Sequence, residues 1–215
     1  MDTILHYIQK YAQTQPDTMA VCELRKSVTY KEYWSSIRKT AGVLMGMGIR
    51  KGDHVMLRCT QNIDYLTVFS ALQYMQALVI PVEKSTSAER VLEIGGRVDS
   101  ECLISDKEAD GISSIKIKDI IARAKDADEA DLELPGENDR SMLLFTTGTT
   151  GSSKGVVMLH RGDVGIAGNV IEGTSMKKGN VEIIPMPLNH SFGIRRYQSD
   201  MVNGGTVCLM DGMVF

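Results

Sequence analysis

The spacing of apolar residues alternates between helical and strand-like patterns along the whole chain. The clearest helix is predicted after Thr29, because Thr29 and Glu32 form the capping-box pattern of a helix N-terminus. The apolar residues that follow lie on one helical face: Tyr33, Ile37, Ala41 and Leu44. An earlier amphipathic helix is predicted from Ile4 to Ala12, with Pro16 marking its end. Between them, MAVCE and KSVTY are predicted to pair as a hairpin.

The rest of the chain repeats a strand–helix–strand order. The predicted strands are HVMLRC, LVIPV, ECLIS, SMLLFTT, VEIIPMP and TVCLMD. The predicted helices are IDYLTVFSALQYMQA, SAERVLEIGGRV, residues 161–172 and a segment after His190. This repetition implies right-handed crossovers and parallel pairing, so the predicted fold class is α/β. Residues 106–140 are acidic and polar, and we interpret them as a surface excursion.

Composition narrows the classes of protein that fit. The chain has 215 residues, 43% of them hydrophobic and 24% charged, which is enough for one large domain or most of two. A net charge of −3 argues against nucleic acid as the main partner, because that role usually requires a basic surface. No apolar run reaches the ~20 residues that span a bilayer, and the polar N-terminus does not resemble a signal peptide. The predicted location is therefore the cytoplasm, with no membrane span.

The four cysteines are far apart in sequence: Cys22, Cys59, Cys102 and Cys208. Each lies in an apolar, strand-like context, and neither the spacing of a zinc site nor a redox pair occurs. We interpret all four as residues that fill the core, and we predict no metal site within these residues.

One segment has a composition that suggests ligand binding: residues 144–155, LFTTGTTGSSKG, followed by the apolar VVML. Glycines allow backbone N–H groups to face an anion, hydroxyl groups add donors, and Lys154 adds positive charge. This combination suits a polyphosphate, so an ATP-like ligand is the first interpretation. A solvated hairpin turn is the alternative, although an ordinary turn rarely needs so many residues of this kind.

The segment differs from the P-loop, in which glycine directly precedes the lysine, Ser or Thr follows it, and a helix begins. Here Ser153 precedes Lys154, Gly155 follows it, and VVML has strand character. We therefore predict a strand, a phosphate-binding loop and a returning strand, with no helix N-terminus directed at the phosphates.

Several motifs together resemble the adenylate-forming superfamily, which includes acyl-CoA synthetases, adenylation domains of peptide synthetases and beetle luciferases. FTTGTTGSSKGVV is similar to the phosphate loop of that family, and PMPLNHSFG followed by NGGTVCLM is similar to its next signature. VTYKEY matches a common opening, and the resemblance extends over the whole chain. Family loops usually have proline before the lysine, where this sequence has Ser153.

The resemblance implies a large domain of two α/β lobes, each with a mixed or parallel sheet flanked by helices. One lobe would comprise residues 1–50 and 181–215, and the other residues 51–180 with the phosphate loop at 146–155. Family chains are considerably longer, so residues 1–215 are expected to be a truncated N-terminal portion. The later Thr-Glu segment, the ribose-binding aspartate, the hinge and the small C-terminal domain with its catalytic lysine would then be absent.

The resemblance also implies an AMP-forming acid–thiol ligase. In such enzymes a small carboxylic acid attacks the α-phosphate of ATP, pyrophosphate leaves, and the acyl-adenylate passes to the thiol of coenzyme A or of phosphopantetheine. The expected cofactors are ATP, Mg²⁺ with its ligand beyond residue 215, and the thiol acceptor.

The same resemblance assigns roles to residues of this sequence. The phosphates would be bound by Thr146, Thr147, Gly148, Thr149, Thr150, Gly151, Ser152, Ser153, Lys154 and Gly155. Lys154 and His190 are the expected catalytic residues, with His190 beside the substrate carboxylate and the α-phosphate, or capping the next helix, or both. Phe192 and Gly193 would border the acyl site.

Two other functions stay open at this point. One is an adenylation domain that loads a carrier protein, and the other is a non-catalytic fragment that binds nucleotide or self-associates. The isolated 215 residues are expected to be inactive and, with an exposed sheet edge, to self-associate. Arg195 or Arg196 could face a polar acyl group, but a solvated helix face is the favoured interpretation for the pair. The identity of the acyl group is not predicted.

Overall fold

The computed structural model describes residues 2–107, 109–145 and 154–210. Helices and strands alternate through these residues, which confirms the predicted α/β class. In chain order the elements are α1 (Ile4–Thr14), β1 (Met19–Glu23), β2 (Lys26–Thr29), α2 (Tyr30–Gly46), β3 (His54–Arg58), α3 (Ile63–Tyr74), β4 (Leu78–Val82), α4 (Ala88–Val98), β5 (Cys102–Ile104), β6 (Ser113–Ile115), α5 (Ile117–Ala124), β7 (Arg140–Phe145), β8 (Gly155–Leu159), α6 (His160–Gly173), β9 (Val181–Ile184), α7 (Ser191–Asn203) and β10 (Thr206–Leu209).

The strands form two sheets. The first has four strands in the order β2-β1-β10-β9, and the second has six in the order β6-β5-β3-β4-β7-β8. Neighbouring strands are parallel except in the hairpins β1–β2 and β7–β8, which are antiparallel. Both the parallel pairing and the first hairpin were predicted from the sequence, and they are confirmed.

Helix α2 follows the sequence pattern closely. The backbone N–H of Glu32 donates to Thr29 Oγ1 (3.2 Å), and the backbone N–H of Thr29 donates to Glu32 Oε2 (2.8 Å), so the capping box is formed. The predicted apolar stripe is fully buried: Tyr33, Ile37, Ala41 and Leu44. The helix ends at Gly46, and the chain then turns at Gly48, where φ is +99°. Positive φ is readily adopted only by glycine, which explains the end of the helix there.

A buried cluster of hydroxyl groups joins α2, α3 and α7. The hydroxyl of Tyr33 lies 2.9 Å from that of Tyr197 and 3.2 Å from Ser70 Oγ, and it donates to the carbonyl oxygen of Leu66 (3.1 Å). Ser70 Oγ is also 3.1 Å from the hydroxyl of Tyr197. Because buried hydroxyls are costly unless they are paired, this cluster fixes α7 against α2 and α3.

The interpretation of residues 106–140 as a surface excursion was wrong in part. This stretch contains β6, which adds a strand to the edge of the second sheet, and α5, whose Ile117 and Ile120 are buried. Near its end, the Leu132 backbone N–H donates to the hydroxyl of Tyr74 (2.8 Å). The acidic side chains that suggested a loop are mostly exposed, and most of them lie between α5 and β7, outside any helix or strand.

The interpretation of all four cysteines as core-filling residues was also wrong. Cys22 on β1 and Cys208 on β10 form a disulfide, with Cα atoms 4.6 Å apart. Parallel pairing places these two residues opposite each other, although 186 positions separate them in sequence. Cys59 is buried, as predicted, and Cys102 is half-buried.

The two sheets draw on different parts of the chain. The four-stranded sheet uses residues 19–29 and 181–209, and the six-stranded sheet uses residues 54–159. One large apolar cluster nevertheless includes residues from both, such as Val21, Phe69 and Ile194. The boundaries of the two lobes therefore stay a prediction. None of the helices in the described residues is both long and apolar enough to span a bilayer.

Candidate active site

The hairpin β7–β8 frames the glycine-rich segment. Its strands are antiparallel, and Phe145 at the end of β7 is opposite Gly155 at the start of β8. The predicted strand, loop and returning strand is therefore confirmed for both strands. The predicted phosphate-binding residues Thr146, Thr147, Gly148, Thr149, Thr150, Gly151, Ser152 and Ser153 lie outside the described residues. Lys154 is exposed and directly precedes β8.

A cavity of about 580 Å³ lies beside this hairpin. Its walls come from the hairpin, from α6 and from the start of α7, and they are formed by Leu144, Phe145, Val156, Met158, Ile166, Asn189, His190, Ser191 and Arg195. The volume is within the range of small-molecule sites, about 300–1,000 Å³. The apolar wall comes mostly from the hairpin, whereas the polar groups come from the region of α7.

A second cavity, of about 660 Å³, lies at the other end of the second sheet, where β3, β5 and β6 begin. It is lined by residues such as His54, Cys102 and Ser113, and none of the predicted site residues that the structure describes contributes to it. In open parallel sheets, ligands bind beyond the carboxyl ends of the strands. The cavity beside the hairpin lies at the carboxyl end of β7, so it is the better candidate for an active site.

His190 precedes the first residue of α7 and lines the cavity. Its backbone is extended (φ −98°, ψ 147°) and its side chain makes no capping hydrogen bond to the helix. The residue is exposed, so its imidazole is accessible from the cavity. The alternative role considered for it, side-chain capping of this helix, is therefore not observed.

Phe192 and Gly193 were predicted to border the acyl site, but neither is among the residues that line the cavity. Phe192 is 62% exposed. Gly193 is buried, and a Cβ atom there would lie 2.3 Å from the carbonyl oxygen of Pro187. Because real atoms do not approach so closely, the residue must be glycine for α7 to pack against the segment that leads to His190.

The two adjacent arginines have different partners. Arg195 is buried, and its Nη1 donates to Asp163 Oδ1 (2.6 Å) and to Gln198 Oε1 (2.8 Å). Arg196 Nη2 donates to Glu182 Oε2 (2.6 Å), and its Nε also contacts Glu182. A solvated helix face, the interpretation favoured from the sequence, is therefore wrong for Arg195. Only Arg195 lines the cavity.

Asp163 and His160 are functional candidates that the sequence analysis missed. Both lie in the first turn of α6 and both are fully buried. Burial raises the pKa of Asp163, and the charge of Arg195 opposes that rise. Burial lowers the pKa of His160 to about 4, and nearby Asp139 partly offsets the effect. The only sequence signal was the polar pair, three residues apart, at the start of a predicted helix.

Several buried polar atoms have no hydrogen-bond partner among the described residues. They are Ser141 Oγ, Asp163 Oδ2, Gln198 Nε2 and both ring nitrogens of His160. Buried polar atoms without a partner are destabilising, so each of them needs a specific explanation. Within the described ranges, no three His, Cys, Asp or Glu side chains are placed to bind a metal ion together.

Comparison with known proteins identifies similar enzymes. The chain is 22% identical to 2-succinylbenzoate–CoA ligase of Bacillus cereus (strain Q1) over 213 residues, which is 98% of this chain and 44% of that protein. It is 24% identical to 3-[(3aS,4S,7aS)-7a-methyl-1,5-dioxo-octahydro-1H-inden-4-yl]propanoyl:CoA ligase of Rhodococcus jostii (strain RHA1) over 242 residues, which is 95% of this chain and 45% of that protein. The chain thus spans less than half the length of these two ligases.

Solved structures have the same fold. The N-terminal subdomain of NpsA from Klebsiella oxytoca, in complex with 3-hydroxybenzoyl-AMSN, matches with a TM-score of 0.90 at 18% identity, over 100% of this chain and 55% of that one. The N-terminal domain of FACL13 from Mycobacterium tuberculosis matches with a TM-score of 0.88 at 22% identity, over 100% and 58% of the two chains. The model of the family described as "AMP-binding enzyme" matches residues 8–215. Since that match covers nearly all of the sequence, the chain belongs to the family of AMP-binding enzymes.

Proposed function

We propose that this chain is the N-terminal part of an ATP-dependent, AMP-forming ligase that activates a carboxylic acid and transfers its acyl group to coenzyme A. The observation that carries the proposal is the position of the cavity, between the hairpin that flanks residues 146–154 and the exposed His190. The family match over residues 8–215 supports it.

The chemistry joins two anions, so it needs positive charge and N–H donors near the phosphates. A carboxylate oxygen attacks the α-phosphorus, the bond to pyrophosphate breaks, and the acyl-adenylate forms. The thiol then attacks the acyl carbon and AMP leaves. In this proposal Lys154 and the preceding loop bind the β- and γ-phosphates, and His190 lies beside the carboxylate and the α-phosphate. The acyl chain occupies the apolar part of the cavity.

The family resemblance implies a Mg²⁺ ligand beyond residue 215, and we derive no step from the metal. Coenzyme A is the proposed acceptor because two relatives are named as CoA ligases. A phosphopantetheine carrier is the alternative acceptor. The chain is also 23% identical to Malpibaldin synthetase of Mortierella alpina, over 98% of this chain but only 4% of that protein, so this relative is a much longer protein.

The exposed side of the four-stranded sheet favours a second candidate, self-association. Val181 is 69% exposed and Ile183 is 59% exposed, and both lie on β9, which is the outer strand of its sheet in the described part of the chain. Exposed apolar edge strands are sites of pairing between chains.

The proposed location is the cytoplasm. The Cys22–Cys208 disulfide weighs against this location, because disulfides are rare in cytosolic proteins.

The test is carboxylate-dependent exchange of labelled pyrophosphate into ATP. We expect the 215-residue chain alone to bind ATP weakly and to catalyse no exchange, because catalysis requires groups held in place on both sides of the reactants. The longer protein from the same gene is expected to catalyse exchange with at least one acid. Absence of exchange from that protein with every acid would overturn the proposal. Exchange by the 215 residues alone would overturn the account of the missing groups.

A further inference from the structure

One cationic side chain lies in the wall of the candidate acyl site. Arg195 lines the same cavity as His190, five residues further along the chain and inside α7. Five of the other lining residues are apolar: Leu144, Phe145, Val156, Met158 and Ile166. A guanidinium in such a wall is costly to bury without a compensating partner, and Asp163 compensates the charge of Arg195.

The guanidinium is fixed by partners on one side only. Its side chain is 9% exposed, and both hydrogen bonds that the described residues make to it use Nη1, with Asp163 and Gln198 as acceptors. Asp163 is fully buried and belongs to α6, so this ion pair also joins α6 to α7. The donors on Nε and Nη2 form the other edge of the planar fork. That edge matches the two oxygens of a carboxylate.

A neutral acyl chain would leave those donors without a partner. Within the described residues neither Nε nor Nη2 donates a hydrogen bond, and an apolar chain packed against this edge offers no acceptor for them. Sites built to hydrogen-bond a substrate group discriminate strongly against analogues that lack that group. A carboxylate at the far end of the substrate would instead accept both hydrogen bonds.

Resting on the function proposed above, we propose that Arg195 is the specificity-determining residue of this site and selects a dicarboxylic acid. One carboxylate reacts near His190, and the other binds the Nε–Nη2 edge of Arg195. The substrate class is thus an acid whose two carboxylates are separated by an apolar spacer that contacts the hairpin wall. Arg196, paired with Glu182 and outside the cavity, has no part in this selection.

The first experiment measures equilibrium binding to the 215-residue chain by calorimetry, with hexanoate and adipate as probes of equal carbon number. We expect adipate to bind about 10- to 100-fold more tightly, the range of a charged hydrogen-bonded contact. Arg195→Met should remove the difference, and the matched control Arg196→Met should retain it. Removing Arg195 alone leaves Asp163 buried without its partner, so the double variant Arg195→Met/Asp163→Asn provides a charge-neutral version.

The second experiment measures pyrophosphate exchange by the longer protein with the same two acids. A dicarboxylate preference in binding that is lost with Arg195 supports the inference, even if no exchange occurs and the proposed ligase function fails. Exchange without any dicarboxylate preference overturns the inference and leaves the ligase function intact. Equal binding of the two acids by the unmodified chain, or a preference that survives in the double variant, also overturns it.

Discussion

Cys22 and Cys208 lie opposite each other on neighbouring parallel strands and are joined by a disulfide. One strand, β1, comes from the start of the chain, and the other, β10, comes from near its end, so the two cysteines are 186 positions apart in sequence. Closing so long a loop reduces the entropy of the unfolded chain, and the bond also holds the two ends of the sequence in one sheet.

Reduction of this disulfide is expected to destabilise the fold. We expect the free energy of unfolding to fall by about 2–4 kcal/mol, the typical contribution of a disulfide. The measurement is urea unfolding with and without dithiothreitol. Cys22→Ala/Cys208→Ala should be as unstable as the reduced protein and insensitive to the reductant, whereas Cys102→Ala should keep the sensitivity. Identical midpoints with and without reductant in the unmodified chain would contradict the expectation.

Local patterns determined what could be predicted from the sequence. The capping box at Thr29 and the apolar stripe of α2 depend on residues close together in sequence, and both were predicted correctly. The disulfide depends on which strands become neighbours, and four cysteines allow three pairings that spacing alone does not separate. The helix α5 was missed because its eight residues lie in an acidic stretch.

The arginine pair illustrates the same limit at the candidate site. Adjacent residues on a helix point about 100° apart, so Arg195 and Arg196 could not both face one environment. Local sequence does not distinguish the two arginines, because their environments depend on partners such as Asp163 in α6, 32 positions from Arg195. The start of α7 directly after His190 was easier to predict, since it followed from the local sequence, whereas the role of His190 stays a prediction.

His160 should make stability depend on pH in the acidic range. Burial lowers its folded-state pKa from 6.5 to about 4. Between pH 6.5 and about 4, the unfolded chain therefore binds a proton at this histidine that the folded chain does not bind. The contribution of His160 to the free energy of unfolding is fully present above pH 6.5 and is lost as pH falls through this window. Over this window we expect the free energy of unfolding of His160→Leu to fall by about 2–3 kcal/mol less than that of the unmodified chain.

The measurement is urea unfolding at a series of pH values between the two pKa values. The difference between unmodified chain and variant isolates His160, because other titrating groups are common to both. His190→Leu, at an exposed histidine, serves as the matched control and should keep the unmodified profile. Parallel profiles for His160→Leu and the unmodified chain would show that this histidine does not cause the acid instability.

Two helical glycines should respond in opposite directions to the same substitution. At Gly193 a Cβ would lie 2.3 Å from the Pro187 carbonyl oxygen and 2.8 Å from that of Met186, so Gly193→Ala should destabilise by about 1–3 kcal/mol. At Gly165 an added Cβ would meet no described atom within 4 Å apart from the backbone of its own helix, so Gly165→Ala should stabilise α6 by up to about 1 kcal/mol. Thermal unfolding measures both, and equal shifts in Tm would refute the packing argument.

The exposed face of β9 should mediate self-association of the 215-residue chain. We expect light scattering to detect species larger than a monomer at high concentration, because Ile183 and Val181 are apolar side chains on an outer strand. Ile183→Lys should shift the distribution to monomer by placing a charge on this surface. Leu24→Lys, at a residue that is 95% exposed in the turn between β1 and β2, should not. A clean monomer for the unmodified chain would refute the expectation.

Lys154 should affect the use of ATP more than the use of the acid. It directly precedes β8, at the end of the segment proposed to bind the β- and γ-phosphates, and its side chain is a point charge suited to phosphate. In the longer protein we expect Lys154→Ala to raise the KM for ATP, or lower kcat/KM for ATP, by about 10- to 100-fold, which corresponds to about 1–3 kcal/mol for a charge-assisted contact. The KM for the carboxylic acid should change much less, because the acyl chain contacts the hairpin wall and α7.

Lys118→Ala, at an exposed lysine of α5, controls for the loss of one surface charge and should leave both constants unchanged. Equal losses for ATP and for the acid would assign Lys154 a structural role in the hairpin, and unchanged ATP kinetics would remove it from the phosphate site.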